Sequence, residues 1–143
     1  MAKFPAALLP LLLLAPLSAP ADDDNDSAGH QDAGRVFEMR TYTAADGKLP
    51  DLLARFREHT NHLFVKHGMQ LIGYWTPSEG DATGSTLVYI LAHDSREAAR
   101  KSWASFAADP AWKAVAAASR KGGRLVAAIE NQWLKATDFS PLQ

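Results

Sequence analysis

The chain contains no cysteine among its 143 residues. This absence excludes disulfide bonds, a lipid-modified cysteine anchor, thiolate metal ligands and cysteine nucleophiles together. The sequence also lacks a glycine-rich phosphate loop, a Gly-x-Ser-x-Gly motif and a His-Glu-x-x-His motif. Nucleotide-driven and serine-hydrolase chemistry are therefore not expected, and the folded part must be stabilised by its core alone.

The sequence has little net charge and no long apolar run. The formal net charge is −1, and the part from Arg35 onward carries 14 basic and 11 acidic residues. The resulting net charge of +3 in that part is too small to indicate a nucleic-acid partner. The apolar run Ala6–Leu17 is shorter than the roughly 20 residues of a membrane-spanning helix. We therefore expect no stable membrane span once the N-terminal segment is removed.

The first 21 residues follow the pattern of a secretory signal peptide. Lys3 supplies a positive charge, Ala6–Leu17 is apolar, and an Ala-x-Ala site ends at Ala21. We predict cleavage after Ala21 and a mature protein in the periplasm or the extracellular space, with an uncleaved membrane-dipping anchor as the alternative. Residues 22–34 are rich in Asp, Ala and Gly without apolar periodicity, which predicts a disordered acidic linker. The folded domain then comprises residues 35–143.

The folded part alternates strand-like and helix-like patterns. Apolar residues recur at spacings of three and four from Lys48 to His67, as in an amphipathic helix, whereas Arg35–Thr43 alternates like a half-buried strand. Ser85–His93 is nearly all apolar, which favours a central strand. The predicted elements are strand Arg35–Thr43, helix Lys48–His67, strand Met69–Thr76, strand Ser85–His93, a helix from Asp94 or Ser95 to about Ala108, a short helix restarted at Asp109-Pro110, and strand Arg124–Lys135.

This βαββαβ order predicts an α+β domain of the ferredoxin-like type. Right-handed crossovers would form a four-stranded antiparallel sheet with both helices on one face. The strands nevertheless carry apolar and aromatic residues on both faces. Two copies that pack their uncovered sheet faces together would close a dimeric α/β barrel. We therefore expect a homodimer formed through the sheet face.

Several short motifs follow one another along the folded part. They are Glu38-x-Arg40-x-Tyr42, Gly47-Lys48-Leu49, Phe56, His59, His67-Gly68, Gly73-Tyr74-Trp75-Thr76, His93-Asp94-Ser95-Arg96, Trp103, Asp109-Pro110-x-Trp112 and Phe139-Ser140-Pro141-Leu142. In their order and spacing, residues 35–142 resemble the NIPSNAP family, whose domains belong to the dimeric α/β barrel superfamily. The resemblance implies the dimeric α/β barrel fold. It implies no particular activity, because the family has no settled one. Animal members are linked to mitochondria and vesicles, a role that a secreted copy need not share.

One stretch departs from the family pattern. Many relatives carry Tyr-Asp after an aromatic residue near the third strand, where this chain has His93-Asp94.

The first strand carries a polar row. Glu38, Arg40 and Tyr42 lie two residues apart and share one face, while Phe37 and Met39 take the other. The row is a candidate ligand-binding site, in which Arg40 would hold an anion and Glu38 would act as a base. The alternative is a structural pair of Glu38 and Arg40 beneath the helices or at the dimer interface.

Three histidines of the first helix have a spacing that invites a metal interpretation. At about 100° per residue, His67 falls within the apolar stripe, His59 lies at its flank and His62 points outward. They do not converge, so we predict no metal site. His67 is expected to cap the helix end beside Gly68 and is a ligand-binding candidate. His59, at the margin of the core, is a catalytic candidate together with Glu38.

Tryptophans and basic residues complete the candidates. Trp75 is predicted to share a strand face with Leu71 and Gly73, and an aromatic ring beside a glycine gap can wall a ligand pocket, with core packing as the alternative. Trp103 and Trp112 are expected in the core. The basic residues expected on a solvated helix face are Arg96, Arg100, Lys101, Lys113, Arg120, Lys121 and Arg124.

Three functions are compatible with these features. The first is a ligand-binding or accessory protein that takes a small apolar or anionic molecule and needs no cofactor. The second is a cofactor-independent monooxygenase or isomerase acting on an aromatic or polyketide-like compound, as the superfamily implies. The third is a haem-binding protein that uses His59 or His67.

Overall fold

The computed structural model describes residues 34–143. The predicted signal peptide and all but the last residue of the predicted linker lie outside the described residues. The strands are β1 (Val36–Ala44), β2 (Gln70–Trp75), β3 (Thr86–His93) and β4 (Val126–Leu134). The helices are α1 (Leu49–Arg55), a π-helical segment (Phe56–Thr60), α2 (Asn61–Lys66), α3 (Arg96–Ala108) and α4 (Pro110–Ser119).

The four strands form one antiparallel sheet in the order β2-β3-β1-β4. The predicted ferredoxin-like arrangement is therefore confirmed, with β1 and β3 at the centre. Among residues 34–143, no helix is long and apolar enough to cross a bilayer.

Polar caps set the start of α3 and α4. The Ser95 hydroxyl accepts a hydrogen bond from the Ala98 amide at 3.0 Å, and the Asp109 carboxylate accepts one from the Ala111 amide at 2.8 Å. Pro110 then occupies the first turn of α4, where its missing N–H costs no hydrogen bond. The break that the sequence predicts at Asp109-Pro110 is thus present.

The first helical stretch is interrupted rather than continuous. The sequence predicts one helix over Lys48–His67, whereas a π-helical segment separates α1 from α2. The Thr60 hydroxyl donates a hydrogen bond to the Arg55 carbonyl at 3.3 Å. A π turn holds one residue more than an α turn and often lies at a functional site. Phe56 and Thr60, at the two ends of this segment, are both buried.

The core lies between the helices and one face of the sheet. Leu87, Tyr89 and Leu91 of β3 point into it together with Tyr42 of β1. Phe56 packs among aromatic rings, with centroids 5.2 Å from Tyr89 and 5.9 Å from Tyr42.

The face of β2 that carries Trp75 differs from the prediction. The pairing register shifts between Leu71 and Gly73, so Leu71 packs against the core while Gly73 and Trp75 pair with the outward-facing Ile90 and Val88. An extra residue in a strand reverses the alternation of side chains beyond it. The prediction that Leu71, Gly73 and Trp75 share a face is therefore wrong. We call the sheet surface that the helices leave uncovered the open face.

Candidate functional site

A fully buried carboxylate lies at the centre of the sheet. Glu38 Oε1 accepts hydrogen bonds from Arg40 Nη1 at 2.9 Å and Asn131 Nδ2 at 2.8 Å. Its Oε2 accepts from Trp103 Nε1 at 2.7 Å and lies 3.1 Å from His93 Nε2. An ionised carboxylate only accepts, so His93 Nε2 is the donor in that bond. Side chains from β1, β3, β4 and α3 thus meet on one residue.

These contacts keep Glu38 ionised. Burial opposes ionisation, but the hydrogen bonds from His93 and Trp103 and the charge of Arg40 outweigh it, so the pKa of the carboxyl lies below its usual value. Each carboxylate oxygen already accepts hydrogen bonds from two donors. Glu38 is therefore better suited to holding the four elements together than to accepting a proton from a ligand.

Arg40 links this network to the aromatic core. Its guanidinium lies 4.4 Å from the ring centroid of Trp103 and 5.7 Å from that of Tyr42. Burial alone would lower the pKa of Arg40, but Tyr42, Tyr89 and Glu38 raise it above its usual value. The 2.9 Å ion pair with Glu38 is the pairing that the structural alternative anticipated.

A cavity of about 470 Å³ opens between the helices and the sheet beside this network. Tyr42 of the polar row lines it, and Trp103 borders both the cavity and the Glu38 network. Among the described residues, its lining contains no Asp, Glu or His side chain. The lining residues are Tyr42, Arg55, Phe56, Thr60, Phe64, Trp103, Phe106, Trp112, Arg120, Arg124, Leu125, Val126 and Ile129.

The remaining predicted site residues lie elsewhere. His59 is half exposed, in a second groove between the π-helical segment and α4, with its Nε2 3.9 Å from Glu58. His67 ends α2, and its Nε2 lies 2.7 Å from an Asp109 carboxylate oxygen. Trp75 is on the open face and 52% exposed. The structure therefore groups Glu38 and Arg40 beside Tyr42, but neither His59, His67 nor Trp75 joins them.

Within residues 34–143, no group of three His, Asp or Glu side chains could hold a metal ion. For haem, the Nε2 atom of His67 is already bound to Asp109. The His59 side chain is half exposed and is the more accessible of the two histidines.

One protein-family model matches most of the folded part. The NIPSNAP family model matches residues 37–141. This chain belongs to the NIPSNAP family. The resemblance that the sequence motifs indicate is thereby confirmed. Comparison with curated proteins gives no match.

Solved structures of other NIPSNAP proteins share the fold. A NIPSNAP family protein of unknown function from Agrobacterium tumefaciens is 26% identical, with a TM-score of 0.68 over 80% of this chain and 98% of that one. A NIPSNAP-like domain protein from Burkholderia xenovorans is 20% identical, with a TM-score of 0.67 over 78% and 93%. The cofactor-independent oxygenase SnoaB from Streptomyces nogalater is 19% identical, with a TM-score of 0.53 over 76% and 98%. The last two similarities concern the fold alone.

Sequence reasoning misses most of the cavity's polar residues. Arg55 lies off the apolar stripe of the predicted helix, and the charge pattern places Arg120 and Arg124 on a solvated helix face. All three line the cavity. For the Glu38 network, one signal was present in the sequence. His93 departs from the family motif, and a histidine in a buried strand needs a polar partner. That partner is Glu38.

Proposed function

We propose that this NIPSNAP protein binds a small molecule with an aromatic or similarly flat apolar body in the cavity between helices and sheet. The observation that carries the proposal is the cavity itself, which is about 470 Å³ in volume and has six aromatic residues among its thirteen lining residues. Sites for small organic ligands are typically concave, mostly apolar and roughly 300–1,000 Å³ in volume. The export expected from the N-terminal pattern would place this binding activity in the periplasm or outside the cell.

The second candidate function is catalysis. A cofactor-independent oxygenase or isomerase reaction that starts by proton abstraction needs a base within reach of its substrate. The described lining has no carboxylate or imidazole, and the nearby Glu38 is saturated with donors. The similarity to SnoaB supports a shared fold, and activity remains the alternative to binding.

Blocking the cavity mouth is expected to abolish binding. Ile129 is half exposed and lines the cavity, so Ile129→Trp would fill the opening without burying a larger side chain in the core. We expect the mature wild-type protein to bind naphthalene-2-methanol, measured by calorimetric titration, and the variant to bind it at least about tenfold more weakly.

The matched control is Val65→Trp. Val65 is 58% exposed on α2 and does not line the cavity, so this variant should bind like the wild type. Equal affinity of Ile129→Trp and wild type would place the ligand outside the cavity. Turnover of the probe, followed by chromatography, would favour the enzyme alternative.

We also propose that the protein is a homodimer formed through the open face. Ile72, Val88 and Ile90 of this face are only partly covered and Trp75 is half exposed, which leaves apolar surface that a second copy would bury.

Sedimentation equilibrium should give twice the mass of one mature chain for the wild type and the mass of one chain for Ile90→Lys, because a charge would be buried unpaired between the sheets. Val65→Lys places the same charge on an exposed apolar position of the helical layer and should leave the mass doubled. A monomeric wild type at micromolar concentration would refute the dimer.

A further inference from the structure

We infer that the molecule bound in the cavity is an anion whose carboxylate, or another singly charged acidic group, is held by Arg55 and Arg120. The inference rests on the proposed function, because it names the chemical class of the ligand for the same cavity. It differs from the sequence-based hypothesis, which gives the anion to Arg40.

The first argument is uncompensated charge. Arg55, Arg120 and Arg124 line one cavity whose described lining holds no acidic side chain. Within residues 34–143, none of the three forms an ion pair with a carboxylate. Arg124 donates from Nε and Nη2 to the carbonyl oxygens of Val126 and Ala127, so Arg55 and Arg120 are the two whose guanidinium groups are left for a ligand. Cations gathered without an acidic partner repel each other, and a bound anion would relieve that repulsion.

The second argument is the placement of Arg55. Its guanidinium lies over the Trp112 ring, 5.3 Å from the centroid, and its Nη1 makes a long contact of 3.5 Å with the Ser119 hydroxyl. Its Nε is buried and has no hydrogen-bond partner among the described residues. The contact with Trp112 holds the guanidinium at the cavity wall, and the single long contact from Nη1 leaves the other Nη donors for a ligand. Burial and the neighbouring Arg120 also lower the pKa of Arg55, consistent with an unneutralised cation.

The third argument concerns the body of the ligand. The cavity lining also includes Trp103 and Trp112, whose rings are only partly buried. Aromatic walls bind flat apolar groups, and guanidinium groups bind carboxylates through paired hydrogen bonds. The combination fits an aromatic or polycyclic acid rather than a neutral hydrocarbon or a free inorganic ion.

Calorimetric titration with 2-naphthoate and naphthalene-2-methanol tests the inference, because the two probes share a ring system and differ in charge. We expect wild-type protein to bind the acid at least about tenfold more tightly than the alcohol at low ionic strength. Raising the salt concentration should reduce this preference. Arg55→Met should reduce the preference by weakening the binding of the acid.

Two further variants complete the design. Arg120→Gln changes an exposed residue, tests the same charge cluster without touching the buried side of the cavity, and should also reduce the preference. Arg57→Met removes an exposed arginine of the π-helical segment that does not line the cavity and should retain it.

The possible failures are distinguishable. If wild type binds acid and alcohol equally, the anion inference is wrong and the proposed binding function stands. A preference that survives in both Arg55→Met and Arg120→Gln would place the anion elsewhere and likewise overturn the inference. If neither probe binds to the wild type, the inference and the proposed function both fail.

Discussion

Glu38→Ala is expected to lower the free energy of unfolding by about 3–5 kcal/mol, the usual cost of removing one partner from a buried charged network. The substitution leaves the donors of His93, Trp103 and Asn131 without their acceptor and the charge of Arg40 without its ion pair. His93 suffers most, because its side chain is almost fully buried and its Nδ1 already has no partner among the described residues. Urea unfolding at pH 7 measures the loss.

Matched variants distinguish the effect of losing the hydrogen-bond network from the effect of losing one negative charge. Glu79→Ala removes an exposed glutamate and should change the unfolding free energy by less than about 0.5 kcal/mol. Arg40→Ala leaves three of the four donors on Glu38 and should cost less than Glu38→Ala. A loss below about 1 kcal/mol for Glu38→Ala would contradict the structural role of the network.

The pH dependence of Glu38→Ala provides a second measurement of the same effect. The pKa of Glu38 is lower in the folded protein than its usual value of 4.5. Below that usual value the unfolded chain binds the proton more readily, so acidification favours unfolding. The stability that ionised Glu38 contributes is complete above pH 4.5 and is lost as the pH falls through the folded pKa. The gap between wild type and Glu38→Ala should therefore narrow on acidification.

Phe56→Ala is expected to destabilise the protein by about 3–5 kcal/mol, as large-to-small changes of buried phenylalanine do. Phe56 is 4% exposed. Its ring centroid lies 5.2 Å from Tyr89, 5.8 Å from Tyr74, 5.9 Å from Tyr42 and 6.1 Å from Phe64. Truncation removes four edge or tilted ring contacts and enlarges the adjoining cavity. Thermal and urea unfolding measure the change.

Two controls accompany this measurement. Phe56→Leu keeps most of the apolar volume and should cost less than about 1.5 kcal/mol. Phe139→Ala removes a ring that is 83% exposed and should have little effect. If Phe56→Ala unfolds like Phe139→Ala, the packing described around the π-helical segment is wrong.

The candidate site joins two features with different roles. The Glu38 network connects three strands and α3 through one carboxylate. Trp103 belongs to this network and also lines the cavity. Binding surfaces that rest on a fixed polar network lose little conformational entropy when a ligand arrives.

The secondary-structure elements and their order can be predicted without the structure, because their signals are local. Alternation marks β1, spacings of three and four mark the first helical stretch, and Ser95 and Asp109 cap the helices that follow them. These signals depend on neighbours a few residues apart, so the βαββαβ order and the family can be inferred from the sequence alone.

The contacts between distant residues could not be predicted in this way. Strand register brings Asn131 and His93 onto Glu38 from 93 and 55 residues away in the chain. One shifted residue in β2 sends Trp75 to the open face, and Arg55 at the end of α1 lies in the same cavity wall as Arg120 at the end of α4. Such outcomes depend on packing between distant segments, and no local pattern encodes a register shift of one residue.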